Sequence, residues 1–151
     1  MKQILQSYKT GELWLAEVPS PACKSGVVVV RTVNSFVSAG TERMLVDFAK
    51  KNIVGKALAM PDQVKKVLRK MKTEGIFSTL EKVQAKLDQP IPGGYSCAGI
   101  VEEVGRNVTG IISGDRGACG GAGYANHAEY NYVPKNLVVK IPESVAFKMR
   151  Y

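Results

Sequence analysis

Histidine and cysteine are scarce in this chain. Of its 151 residues one is histidine, His127, and three are cysteine, Cys23, Cys97 and Cys119. The cysteines stand in no CxxC or paired spacing, which argues against a disulfide framework and suits a reducing cytoplasm. No run of about 18 apolar residues occurs, so no membrane-spanning helix is expected. The first residues, Met1-Lys2-Gln3-Ile4-Leu5-Gln6-Ser7, lack the long apolar stretch of a secretory signal. Internal repeats are absent, and so is the βαβ alternation of a nucleotide-binding sheet.

What is present is a soluble-protein balance, 45% hydrophobic and 23% charged, with a net charge of +8. The length suits one domain with a real core and is short for two. The charge is uneven. Between Glu42 and Asp88 eleven Lys and Arg face six Asp and Glu, so five of the eight net charges sit there.

The segment before residue 42 reads as strands. Val27-Val28-Val29-Val30 is β-branched and bounded by Gly26. Thr10-Gly11 looks like the tip of a hairpin between residues 4–8 and 12–17. The middle segment changes period. Pro61-Asp62 suits a helix start, and Val64, Val67, Leu68 and Met71 follow on one helical face. Gly75 suits the stop. Ser78 and Glu81 match a capping box that would open the next helix, with Leu80, Val83 and Leu87 as its stripe until Pro90. Met44, Leu45 and Phe48 carry helical spacing too. Two or three amphipathic helices are therefore expected at about 43–88, inserted between β segments. From Gly93 to Ile141 dense glycines punctuate short apolar runs, as the tight turns of a small barrel require.

Gly94-Tyr95-Ser96-Cys97-Ala98-Gly99, then Gly105, Val108 and Gly114-Asp115-Arg116, resembles the medium-chain dehydrogenase/reductase signature G-H-E-x-x-G-x5-G-x2-V followed by G-D-x-V. Gly123 to Tyr130 resembles the later G…A-E-Y stretch. Val133-Pro134 and Ile141-Pro142 resemble the closing strands of that family's barrel. The resemblance implies a mainly β fold, a GroES-like distorted barrel spanning 1–151 with an α-helical insertion. It also implies NAD or NADP as the cofactor of the complete enzyme. No G-x-G-x-x-G occurs up to Tyr151. The Rossmann domain is thus expected to be a missing partner, and the chain alone to be silent and to bind no dinucleotide tightly.

Ser38-Ala39-Gly40-Thr41-Glu42-Arg43-Met44, the basic insertion and Gly94-Tyr95-Ser96 together resemble bi-domain oxidoreductases, in which a dehydrogenase-like half is fused to a Gfo/Idh/MocA-like half. That resemblance implies an anionic sugar or sugar-nucleotide substrate. A homo-oligomer is a further expectation.

Where the family has zinc ligands, this chain has Ser38 for the cysteine and Tyr95 and Ser96 for the histidine and glutamate. Neutral hydroxyls are poor zinc ligands near neutral pH, so no zinc is expected. Ser38, Thr41, Tyr95 and Ser96 are the candidates for the substrate cleft. Ser38 and Tyr95 either hydrogen-bond a substrate oxygen or fill the space a metal would occupy. Thr41 is a candidate substrate contact, and Glu42 either joins it or is a helix-start carboxylate. His127 reads as a packed or surface histidine rather than a catalytic one. Cys97 and Cys119 read as small core residues, and Asp115 as a turn residue. Gly120-Gly121-Ala122-Gly123 reads as a turn, because residues 124–133 look like β and a phosphate loop needs a helix there. Gly117 stands where the pattern has Val, which puts the packing of its strand in question.

The competing reading is a non-catalytic binding or assembly module whose basic helices contact an anionic partner. Nucleic acid is disfavoured, since Phe48 and Phe77 are the only evident stacking aromatics of the insertion. Membrane binding is disfavoured as well, and a solvated helical face is the plainer account of the lysines.

Overall fold

A computed structural model describes residues 1–147, with the side chains of Leu45 and Ile53 left out. Residues 148–151, which belong to the expected 1–151 domain, lie outside the described set. Strands and helices follow in the order β1 (Lys2–Gln6), β2 (Leu13–Glu17), β3 (Val27–Ser35), α1 (Ala39–Lys50), α2 (Ile53–Ala59), α3 (Pro61–Glu74), α4 (Ile76–Asp88), β4 (Ile91–Pro92), β5 (Ser96–Val104), β6 (Arg116–Gly120), β7 (Tyr130–Pro134) and β8 (Val138–Lys140). The mainly β architecture with inserted helices is therefore present. Two compact units divide it. One combines residues 1–5, 14–38 and 92 onward; the other combines 6–13 with 39–91. No helix among the described residues is long and apolar enough to cross a membrane.

In the first unit a five-stranded antiparallel sheet has the order β7-β3-β5-β6-β8. Side chains alternate across a strand, so every second residue reaches the core. Val28 and Val30 of β3, Cys97 and Val101 of β5, Cys119 of β6 and Val133 of β7 follow that rule and build the core with Ile111, Ala125 and Val138. β-Branched valine suits a pleated, crowded face, which is why it dominates here. β3 runs beyond the valines, through Arg31, to Ser35. It is hydrogen-bonded to β5 along its length and to β7 over Val27–Arg31, so pairing carries it through polar residues. Gly99 of the sequence motif is a close approach of backbones. A Cβ there would fall 2.1 Å from the Arg31 carbonyl oxygen.

The doubt over Gly117 is resolved by its neighbours. β6 is intact, and a side chain at Gly117 would meet Val138 Cγ1 at 3.2 Å, so valine from β8 fills the gap. Asp115 holds its turn as expected, its carboxylate accepting the Ile112 N–H at 2.8 Å and pairing with Lys140 at 2.9 Å. Cys97 and Cys119 are buried, free and directly opposed across β5 and β6. The hydrogen bond to Cys97 and then burial push the Cys119 thiol upward, which disfavours its thiolate.

The hairpin at Gly11 forms, with its first strand two residues earlier than expected and its second starting at Leu13 instead of residue 12. Ser7 N–H donates to Glu12 O and Gly11 N–H to Ser7 O. In the second unit the helices begin at Ala39, not 43, and number four. Pro61 opens α3 and Gly75 follows its last residue, as the sequence indicated. The capping box at Ser78 is not formed. Gly75 (φ 89°) is the N-cap of α4, which starts at Ile76, and Ser78 Oγ donates back to Glu74 O at 2.7 Å. A glycine that both ends one helix and starts the next leaves Ser78 inside the first turn, where its hydroxyl takes the i−4 carbonyl. Tyr8 and Phe48 pack edge to face with centroids 5.8 Å apart.

Candidate functional site

In the first unit β3 leaves and β5 enters at the same end of the sheet. Ser35 closes β3 opposite Cys97, and Phe36 N–H donates to Ser96 O at 2.9 Å. Ser38 lies two residues further on. Tyr95 immediately precedes β5, its carbonyl accepting the Gly121 N–H at 2.8 Å, and Ser96 pairs with Gly120. Tyr95 and Ser96 thus stand at the rim where β3 ends, with Ser38 in the segment that leaves it, and all three are half-buried. Thr41 does not join them within this unit. It stands exposed in the first turn of α1, beside Glu42, in the other unit.

His127 is built into the same rim. Its ring Nδ1 is hydrogen-bonded to Ser35 Oγ at 2.8 Å. Its backbone N–H donates to Gly93 O, and its carbonyl accepts the Ile4 N–H. Gly94, with φ 89°, faces it closely. A Cβ at Gly94 would sit 2.8 Å from His127 N and 2.9 Å from Nδ1. The glycine of the motif is needed for both its left-handed conformation and its closeness to the imidazole. His127 is thus packed, as the sequence reading favoured.

Sequence reasoning missed what holds this histidine segment in place. Asn131 of β7 is buried, and its Oδ1 accepts the Asn126 N–H at 2.8 Å. Its Nδ2 donates to Thr32 Oγ1 at 2.9 Å, to Asn126 O at 3.0 Å and to Cys97 Sγ at 3.6 Å. One amide side chain therefore ties residues 126–131 to β3 and β5. The only available signal was an asparagine at an inward position of an alternating strand. The rim also presents apolar surface that was not anticipated, with Phe36 and Val37 each 61% exposed.

Residues 121–125 form a turn and no helix follows the glycine run; Tyr124 N–H and Ala125 N–H both return to Gly121 O. The expectation of β structure from residue 124 needs correction, since β7 begins only at Tyr130. The chain is occupied until then by the turn and by the Asn126 and His127 contacts. Among the described residues no three His, Cys, Asp or Glu side chains come together as a metal site. The rim offers hydroxyls, one imidazole and exposed apolar side chains. Such a set can hydrogen-bond a neutral oxygen and cover an apolar group, but offers no anionic ligand for a cation.

The alcohol dehydrogenase GroES-like domain family matches residues 65–143. No curated protein matches the chain. Among solved structures it is similar to a quinone oxidoreductase of Pseudomonas syringae, with 21% identity, 97% of this chain and 35% of that one covered, and a TM-score of 0.63. An alcohol dehydrogenase superfamily protein of Novosphingobium aromaticivorans is similar at 20% identity, 97% and 36% coverage and a TM-score of 0.61. The quinone oxidoreductase of Thermus thermophilus, solved with and without NADPH, is similar at 20% identity, 97% and 34% coverage and a TM-score of 0.57. These likenesses show a shared fold. The chain spans about a third of the length of each of these structures.

Proposed function

Since the chain belongs to the alcohol dehydrogenase GroES-like domain family, we propose that it forms the substrate-side wall of an NAD(P)-dependent oxidoreductase that works without zinc. The observation that carries this reading is that β3 ends beside the start of β5, with Phe36 N–H bonded to Ser96 O, so Tyr95 and Ser96 stand next to the segment that leads to Ser38. Hydride transfer is the chemistry the nicotinamide supplies when bound. The part of this chain is to bind and orient. A carbonyl oxygen gains negative charge as hydride arrives, and the Tyr95 and Ser38 hydroxyls are the donors for it. Phe36 and Val37 cover the apolar side of the substrate and exclude water.

Zinc does not fit the donor set. Ser38, Tyr95 and Ser96 are neutral hydroxyls, and a catalytic zinc takes thiolate, imidazole or carboxylate. The dinucleotide pyrophosphate does not fit this chain either, because the 120–123 glycines are followed by a turn and not by a helix with free N–H groups. A Rossmann domain outside this chain is therefore assigned that task. The substrate class we favour is an anionic sugar derivative, in a polypeptide fused to a second oxidoreductase half. The sequence likeness to bi-domain oxidoreductases supports it.

Calorimetry tests the division of labour. The chain titrated with NADPH at low and moderate salt is expected to show at most weak, salt-sensitive binding. Micromolar binding that survives moderate salt would refute the reading. In the polypeptide carrying both domains, Tyr95→Phe is expected to lower NAD(P)H-dependent turnover by about tenfold or more. Unchanged turnover would remove Tyr95 from the site.

One observation favours the second reading, a module that contacts an anionic partner. Lys65, Lys66, Arg69, Lys70 and Lys72 are all exposed on α3, against Asp62 and Glu74 on the same helix. Affinity for a polyanion that collapses between low and moderate salt would support it.

A further inference from the structure

The helical unit contains a cavity of about 350 Å³. Its walls are Val64, Val67 and Met71 of α3, Val83 and Leu87 of α4, and Phe48 of α1. Small-molecule sites have this character, several hundred cubic ångströms of apolar wall with a few placed polar groups. Here the charged group is Lys56 of α2. Its ammonium donates to Tyr8 O at 2.9 Å and to Lys9 O at 3.0 Å, and it lies 5.8 Å from the centre of the Tyr8 ring. Two of its three N–H groups are thereby used, and the head is held in one place. No carboxylate among the described residues pairs with it. Burial lowers its pKa, so the charge is partly desolvated and unmatched.

The apolar side is equally incomplete. α3 carries four apolar side chains on one face, yet none of its residues is fully buried. Helices in proteins owe most of their stability to packing of such a face. Val64, Val67 and Met71 are only half-covered, and burying their remaining surface would be favourable. Met60 and Met71 line the space with flexible thioethers that adapt to an occupant.

We propose that this cavity binds an amphipathic organic anion, an apolar chain or ring ended by one carboxylate, with the tail among α3 and α4 and the carboxylate on Lys56. The site is built from residues of the helical unit alone and does not depend on the oxidoreductase reading. A charge-assisted hydrogen bond distinguishes this class of ligand from a neutral apolar molecule of equal length.

Calorimetry with the full chain, using decanoate, decanol and decyltrimethylammonium as probes, is the test. Decanoate is expected to bind saturably at one site, decanol about tenfold more weakly, and the cation not at all. Lys56→Met is expected to bring decanoate to the level of decanol and leave decanol unchanged, while Lys56→Arg keeps the preference. Val67→Trp fills the cavity and should abolish binding of both probes, with circular dichroism reporting the helices. Should that side chain cost helix content, Leu87→Phe takes its place. The proposal is overturned if decanoate does not bind, if decanoate and decanol bind equally, or if the filled cavity binds as before. It is overturned too if light scattering shows a dimer that the cavity-filling variant dissociates, since a second copy would then be the occupant.

Discussion

Replacing Gly94 by alanine isolates how much the rim depends on one missing side chain. The residue has φ 89°, where an L side chain costs about 1 kcal/mol. The new Cβ would also lie 2.8 Å from His127 N and 2.9 Å from its Nδ1. Backbone and ring must then move together. The His127 N–H to Gly93 O hydrogen bond and the ring's bond to Ser35 are strained or lost, at about 1 kcal/mol each. The expected sum is about 3 kcal/mol, or roughly 6–12 °C in thermal midpoint for a chain of this size. Gly110→Ala is the control. It has φ 82° with nothing within 4 Å, so it carries the conformational cost alone, about 1 kcal/mol. Gly93→Ala, in ordinary contact at 3.6 Å without a positive φ, should stay within about 0.5 kcal/mol of the wild type. Differential scanning calorimetry measures all three. His127, as the sole histidine, gives one imidazole signal by NMR, which should shift in Gly94→Ala and not in Gly110→Ala. If Gly94→Ala is no less stable than Gly110→Ala, the close packing of imidazole on the glycine is refuted.

Asn131→Ala leaves Asn126 N–H and Thr32 without their partner in a buried setting and opens a small void. Urea unfolding is expected to show a loss of about 3 kcal/mol, and a loss below about 1 kcal/mol would deny the network its role. Asp115 gives the chain a pH dependence. The Ile112 N–H first, and Lys140 second, hold its carboxyl below the usual aspartate range. Its folded pKa is depressed, so its contribution is fully present above the ordinary value of about 4 and is lost as pH falls through the lower folded value. The thermal midpoint of the wild type should therefore drop on acidification more steeply than that of Asp115→Asn; parallel curves would contradict this.

Much of the β unit was legible because its signals are local. Val27–Val30, the glycines at 94, 99, 105 and 114 and the turn at Asp115 each act through backbone conformation or period-2 alternation, which neighbouring residues reveal. Pro61 and Gly75 likewise marked α3. Misreadings came where two local signals competed. Ser78 with Glu81 had the form of a cap, but Gly75, one turn earlier, took that place. Residues 124–129 had β composition, but the chain there is held by contacts from Asn131 and Gly93.

The candidate site divides in the same way. The sequence alone determined which chemistries the rim carries, since Ser38, Tyr95 and Ser96 are hydroxyls whatever surrounds them. Only the tertiary structure decided that Ser35 and His127, 92 residues apart, share a hydrogen bond, that Asn131 is a buried tie, and that Lys56 heads an apolar cavity. Thr41, close to Ser38 in sequence, falls in a different unit. The reason is physical. Periodicity and turn chemistry are properties of a few adjacent residues. Burial and hydrogen-bond partners depend on which distant strand or helix comes to lie alongside, and that is set by the packing of the whole unit.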